Sequence, residues 1–202
     1  NQPALPWENV ADLQLVYENL LNQAEQLQEE IKQQFKNQML HEFDLIKKDF
    51  HSVNDYHMEI ARLREILKTL NNDLFILKER NLQNLDLYID KLTELANRKR
   101  SISGQDPLNL EYYVTLSLMA LDDAQEITPN YAVGDDNLPL FTAPGNHPDI
   151  ECYYRSFNMI CEVTLLRGRD QWYNEGQPVM RHLRAFEDRT DNETDENYCL
   201  FI

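Results

Sequence analysis

Two acidic residues thirteen positions apart, Asp149 and Glu162, have the types and surroundings best suited to chemistry in this chain. Asp149 stands in the run Gly145-Asn146-His147-Pro148-Asp149-Ile150-Glu151-Cys152. Glu162 stands in Met159-Ile160-Cys161-Glu162-Val163-Thr164-Leu165-Leu166, which reads as a buried β-strand. A carboxylate inside an apolar strand is costly unless its charge is compensated. Mg²⁺ is the usual compensator where a second carboxylate converges on the same point. Alternation along the strand places Glu162 and Thr164 on one face and Cys161, Val163 and Leu165 on the other, with the Val163 carbonyl beside the Glu162 side. Asp149, Glu162 and that carbonyl would supply the protein's share of an octahedral oxygen set. Such an ion lowers the pKa of a water and offsets charge on a scissile phosphate. In a chain with 35 Asp and Glu, two unrelated acids are the competing account.

The chain has 202 residues, room for one ordinary domain or a compact domain with a helical extension. Its 19 Lys and Arg leave a formal charge of −16, which argues against a general nucleic-acid coat. An enzyme that meets DNA through a small basic surface, or is brought to DNA by another domain or subunit, remains compatible. Cys152, Cys161 and Cys199 match no zinc spacing and read as buried thiols of a reducing, cytoplasmic compartment. The Asn192-Glu193-Thr194 sequon then carries no meaning. No signal peptide or membrane span is expected. The apolar end Tyr198-Cys199-Leu200-Phe201-Ile202 reads as a strand, so the core is expected to be C-terminally incomplete.

The elements that must position the acids fall into two halves. From Trp7 to about residue 98 the pattern is helical, without glycine or proline. A first helix is predicted from Trp7 to Phe50. After a break at His51–Asp55, where Ser52 or Asn54 can cap, Ile60, Leu63, Leu67, Leu70, Leu74 and Leu77 form a heptad-like stripe. Asn71-Asn72, or Asn81 and Asn84, mark a second break before Leu85, Ile89, Leu92 and Leu95. The stripe suggests the seam of an antiparallel helical hairpin rather than a dimerising coiled coil. Arg98-Lys99-Arg100 marks the boundary between segments 1–100 and 101–202; it either touches a phosphate backbone or complements a helix dipole. Beyond it are predicted a helix over 108–122, a loop with a short strand over 128–148, strands over 150–154 and 159–166, a helix over 178–188 and a last strand over 198–202.

Two further carboxylates accompany the pair: Glu111 on the helix upstream, and Glu175 in Tyr173-Asn174-Glu175-Gly176-Gln177. With these, residues 148–182, including Glu162-Val163-Thr164, Arg167-Gly168-Arg169-Asp170-Gln171 and Arg181-His182, resemble the cleavage centre of the PD-(D/E)xK nuclease fold. The likeness is closest to its AlwI-like branch of type IIS restriction and site-specific nicking endonucleases, and it covers roughly residues 105–202. The resemblance implies an α/β fold: a helical N-terminal lead-in, then a restriction-endonuclease-like core with a mixed sheet flanked by helices. It implies a Mg²⁺-dependent bacterial DNA endonuclease, with Mn²⁺ as substitute, that hydrolyses double-stranded DNA at a fixed offset from a site read by a separate recognition domain. A second catalytic subunit is a compatible partner. Asp149, Glu162 and the Val163 carbonyl would bind the principal ion, while Glu111 and Glu175 would hold its waters or a second ion. The generic fold carries lysine where this chain has Thr164; Glu175 or His182 then takes up part of that work, His182 as a proton donor or acceptor, although a helix histidine can equally be structural. Arg167, Arg169, Arg181 and Arg184 are the candidate phosphate contacts, with plain surface solubility as the alternative. The competing class for the whole chain is a non-catalytic helical interaction or subunit module.

Overall fold

The computed structural model describes residues 9–36, 38–97, 105–134, 136–166, 168–190 and 196–202, with only the helical backbone of Asp170, Gln171, Trp172 and Glu175. The sequon, Arg167 and the basic triplet 98–100 lie outside them. The described residues form an α/β structure of five α-helices and a mixed four-stranded sheet, with a small separate hairpin. They divide into two compact units, Asn1–Lys78 and Glu79–Ile202, so the division falls upstream of the boundary read at the basic triplet. Among the described residues no helix is long and apolar enough to cross a membrane.

In the first unit, α1 (Val10–Phe35) starts where the Asn9 side chain accepts from the Asp12 amide, and it ends at Lys36, whose φ of 31° leaves helical space. The helix predicted to Phe50 therefore stops early. Residues 38–51 are irregular and run back along α1: the Gln28 amide donates to the Phe43 carbonyl at 3.1 Å and accepts from its N–H at 2.8 Å, and the Tyr17 hydroxyl accepts from the Lys48 N–H at 2.8 Å. α2 (Val53–Glu79) opens on a Ser52 cap beside Tyr17, with the Tyr17 and Tyr56 rings 5.9 Å apart. Further along α2, Asp73 accepts from the His41 N–H at 3.1 Å. The two helices thus run in the same direction, not as the antiparallel hairpin expected from the stripe. The lengths agree: a 26-residue helix spans about 39 Å at ~1.5 Å per residue, a distance that a dozen or so extended residues recover at ~3.3 Å each.

Of the stripe, Ile60, Leu63, Leu70 and Leu77 are core, packed with Leu13, Tyr17, Leu21, Ala24 and Ile31, while Leu67 and Leu74 lie partly buried against it and Ile66, outside the stripe, joins the core. Because the returning segment has no ladder of its own, its backbone groups depend on side chains of the helices. Replacing Gln28 with alanine should leave both polar groups of Phe43 without their partner and cost about 1–3 kcal/mol, read from urea unfolding. An unchanged midpoint would show that solvent satisfies them.

The second unit begins with a 3₁₀ turn, Leu82–Asn84, capped by Asn81, the second of the breaks read from the sequence. α3 (Leu85–Asn97) then packs against α4 (Asp106–Leu121). α4 buries Leu108, Leu110, Val114, Leu116, Leu118 and Met119; apolar on nearly every side, it is an interior helix. The loop read over 128–148 holds more structure than expected: β1 (Glu126–Pro129) and the small hairpin of β2 (Ala132–Val133) and β3 (Pro139–Phe141). β4 (Ile150–Tyr153) and β5 (Phe157–Glu162) form the antiparallel pair expected, and β6 (Glu196–Phe201) lies parallel to β5. The order is β1-β4-β5-β6. One face of the sheet, with Ile150, Cys152 and Cys161, packs under α3 and α4 around Leu95, Leu110, Val114 and Leu118. α5 (Arg169–Arg189) leads from β5 back to β6 and buries Val179, His182 and Phe186. It starts well before Pro178, so the stretch around Glu175 is helical backbone rather than the connection expected.

Candidate active site

The entry to β4 and the exit from β5 lie side by side. The ladder's last pair is Ile150 with Cys161, so Asp149 stands opposite Glu162. The Asp149 carboxylate takes the next rung itself, accepting from the Val163 N–H at 2.8 Å. β5 therefore ends at Glu162 and not at Leu166 as expected. Beyond it the chain is tied on the other side, where Thr164 N–H donates to the Ile202 carbonyl and Ile202 N–H to the Glu162 carbonyl, both at 3.0 Å. With the strand over, alternation no longer governs Thr164. It borders an apolar cavity of about 480 Å³ beside α3 and α4, and its hydroxyl accepts from the Leu166 N–H at 3.2 Å.

Glu162 is 6 % exposed and faces α5. There His182, 8 % exposed, brings Nδ1 to 2.7 Å from the carboxylate. Glu162 favours a charged ring, but burial, Arg181 and His147 hold the His182 pKa below the usual histidine range. We therefore take the ring as neutral, with Nδ1–H donating to Glu162 and Nε2 left as an acceptor. Nε2 is buried and has no hydrogen-bond partner among the described residues. Arg181, Arg169 and Arg184 are exposed on α5. Arg181 is the one whose charge His182 senses.

Glu111 reaches the same region from α4. Its carboxyl accepts from the Ala143 N–H at 2.9 Å, and burial, opposed by that bond and aided by the charge of Asp149, raises its pKa to about 7. An unfolded carboxyl titrates near 4.5, so between these values the folded state holds more protons than the unfolded one. Stability contributed by Glu111 is full below about 4.5 and is lost as pH rises toward 7. In metal-free buffer, the thermal midpoint of wild type should fall across that window relative to Glu111→Gln. A difference between the two that stays constant with pH would contradict this.

The structure thus brings together Asp149, Glu162, the Val163 backbone and His182, with Glu111 close enough to sense Asp149. It does not place the Glu175 side chain or Arg167. Among the described residues no three His, Cys, Asp or Glu side chains group tightly enough to hold a metal by themselves. Mg²⁺ asks for less than that, typically one or two carboxylates completed by waters and substrate phosphate. Hard carboxylate oxygens, with Glu111 raised chiefly by burial and further by the charge of Asp149, suit such an ion. Sequence reasoning passed over two polar residues here. Glu151 is buried and bound by Arg189 at 2.9 Å, Tyr153 at 2.8 Å and Asn130 at 3.2 Å, and these partners hold its pKa low against the effect of burial. Its alternation with Asp149 along the strand was the available signal. Asn130 carried none.

Comparison with known proteins places this chain in a family. The small subunit of the heterodimeric restriction endonuclease R.BspD6I is similar at 24 % identity, with a TM-score of 0.48, over 57 % of this chain and 57 % of that one. This chain therefore spans little more than half of that subunit's length. No curated protein matches. The family model described as AlwI restriction endonuclease matches residues 1–202, the whole of the sequence. The chain belongs to the AlwI restriction endonuclease family.

Proposed function

We propose that this chain is a DNA endonuclease cleavage module that hydrolyses a phosphodiester with the help of Mg²⁺, or Mn²⁺ in its place. The observation that carries this reading is the meeting of Asp149 with the Glu162-Val163 strand end, fixed by the 2.8 Å bond from Val163 N–H to the Asp149 carboxylate. Asp149, Glu162 and the Val163 carbonyl would hold the principal ion, with Glu111 and Glu175 on its waters or a second ion. When bound, the ion would activate a water and offset charge on the scissile phosphate. The remaining work falls to the chain. Glu162 orients His182, whose Nε2 accepts or returns a proton near the phosphate. Thr164, its hydroxyl engaged in its own turn, does not take the place of a lysine. Arg181, Arg184 and Arg169, with Arg167, contact phosphate oxygens from α5 and its start.

The finer assignment follows the family. The core around residues 101–202 would be of the PD-(D/E)xK type and the helices of segment 1–100 its lead-in. Cutting would lie at a fixed offset from a site read by a separate recognition domain, in the type IIS or nicking manner, within the bacterial cytoplasm. A partner subunit would cut the second strand. A net charge of −16 fits a module whose DNA affinity resides largely elsewhere. Incubating the chain with supercoiled plasmid and Mn²⁺ tests the reading: nicked or linear product that depends on both metal and Asp149 supports it. The absence of any metal-dependent stabilisation and of any cleavage would sink it in favour of a non-catalytic module.

A further inference from the structure

We propose that Asn130 is a positioning residue for Asp149, and that Glu151 serves the site by aiming Asn130 rather than by binding metal. The inference rests on the metal reading of Asp149 given above. β1 ends at Pro129, paired with Ile150, and proline brings no N–H to a ladder. The tie at the entry of β4 is made instead by the next residue. Asn130 N–H donates to the Asp149 carbonyl at 2.9 Å, and its side-chain amide donates to the Pro148 carbonyl at 2.9 Å and to Glu151 at 3.2 Å.

One residue thus grips the peptide units on both sides of the Asp149 α-carbon. Holding both planes fixes φ and ψ there, and with them the direction in which the side chain leaves the backbone. The carboxylate is then tied at its far end by Val163 N–H. The Asn130 amide is in turn fixed by Glu151, a buried acid held ionised by Arg189 and Tyr153. Its bonds leave Glu151 anchored on the far side of the Asn130 amide. Partners of this kind, behind a ligand, commonly set metal affinity by tenfold or more.

The test is a Mn²⁺ titration of the full chain without DNA, read as the rise in thermal midpoint, for wild type and for Asn130→Ala, Asn130→Ser, Tyr153→Phe and Asp149→Asn. Asn130→Ala and Asn130→Ser keep the backbone bond to Asp149 and remove the amide's two. Tyr153→Phe weakens the same polar group while sparing Pro148. The expected result is a Mn²⁺ midpoint raised about tenfold in the Asn130 variants, with Tyr153→Phe, which leaves the Asn130 bond to Pro148 in place, giving a smaller shift in the same direction. Asp149→Asn should show no response. Unchanged metal midpoints in the folded Asn130 variants overturn the inference alone, as does a Tyr153→Phe shift that is absent or as large as theirs. A wild-type chain without an Asp149-dependent response overturns the metal reading and this inference with it.

Discussion

Asp149→Asn is expected to lower metal-dependent cleavage of plasmid DNA by a thousandfold or more while leaving the fold intact. The amide oxygen can still accept from Val163 N–H, so the strand end at Glu162 stays closed. What disappears is one negative charge where the proposed ion would sit. Metal assistance supplies several kcal/mol to a hydrolytic barrier, and each ~1.4 kcal/mol is a factor of ten in rate, so about three powers of ten follow. Single-turnover nicking at saturating Mn²⁺, beside far-UV circular dichroism, measures both halves of the statement. Wild-type rates in a folded Asp149→Asn chain would remove Asp149 from the mechanism.

Phe186→Ala should produce the largest loss of stability in the second unit, about 3–5 kcal/mol. Phe186 is fully buried, its ring 5.7 Å from that of Tyr153, and it shares one face of α5 with Val179 and His182. Removing it opens a cavity between α5 and the sheet that a helix already carrying Pro178 has few other contacts to close. His182, one turn earlier on the same face, would lose its fixed approach to Glu162. Urea unfolding followed by circular dichroism should show the lower midpoint, and Phe186→Leu should recover most of it. A Phe186→Ala chain as stable as wild type would mean that α5 is anchored elsewhere.

The sequence made the core readable where burial is one-sided. The stripe from Ile60 to Leu77 and the strands around Cys152 and Cys161 are where periodicity put them, because each buries a continuous face. The segment 38–51 was illegible for the opposite reason. It contains no glycine or proline, and its extended path is imposed by Gln28, Tyr17 and Asp73 from distant turns. Local propensity cannot register such partners. The same holds at the site: the acids could be named from their apolar setting, whereas Asn130 acquires a role only once Pro129 is set against Ile150. Thr164 was assigned a face by extending an alternation that the Asp149 carboxylate cuts short.

The pairing of Ile150 with Cys161 makes the hairpin between β4 and β5 a kind of reading frame. Asp149 meets Glu162 only in this phase. A single residue added to the turn at Tyr154–Ser156 would bring Cys161 into that place and send the glutamate to the opposite side of the sheet. Two residues would restore the facing but slide the acids apart by roughly 7 Å. The short turn between β4 and β5 is therefore locked in length by the meeting of the two acids.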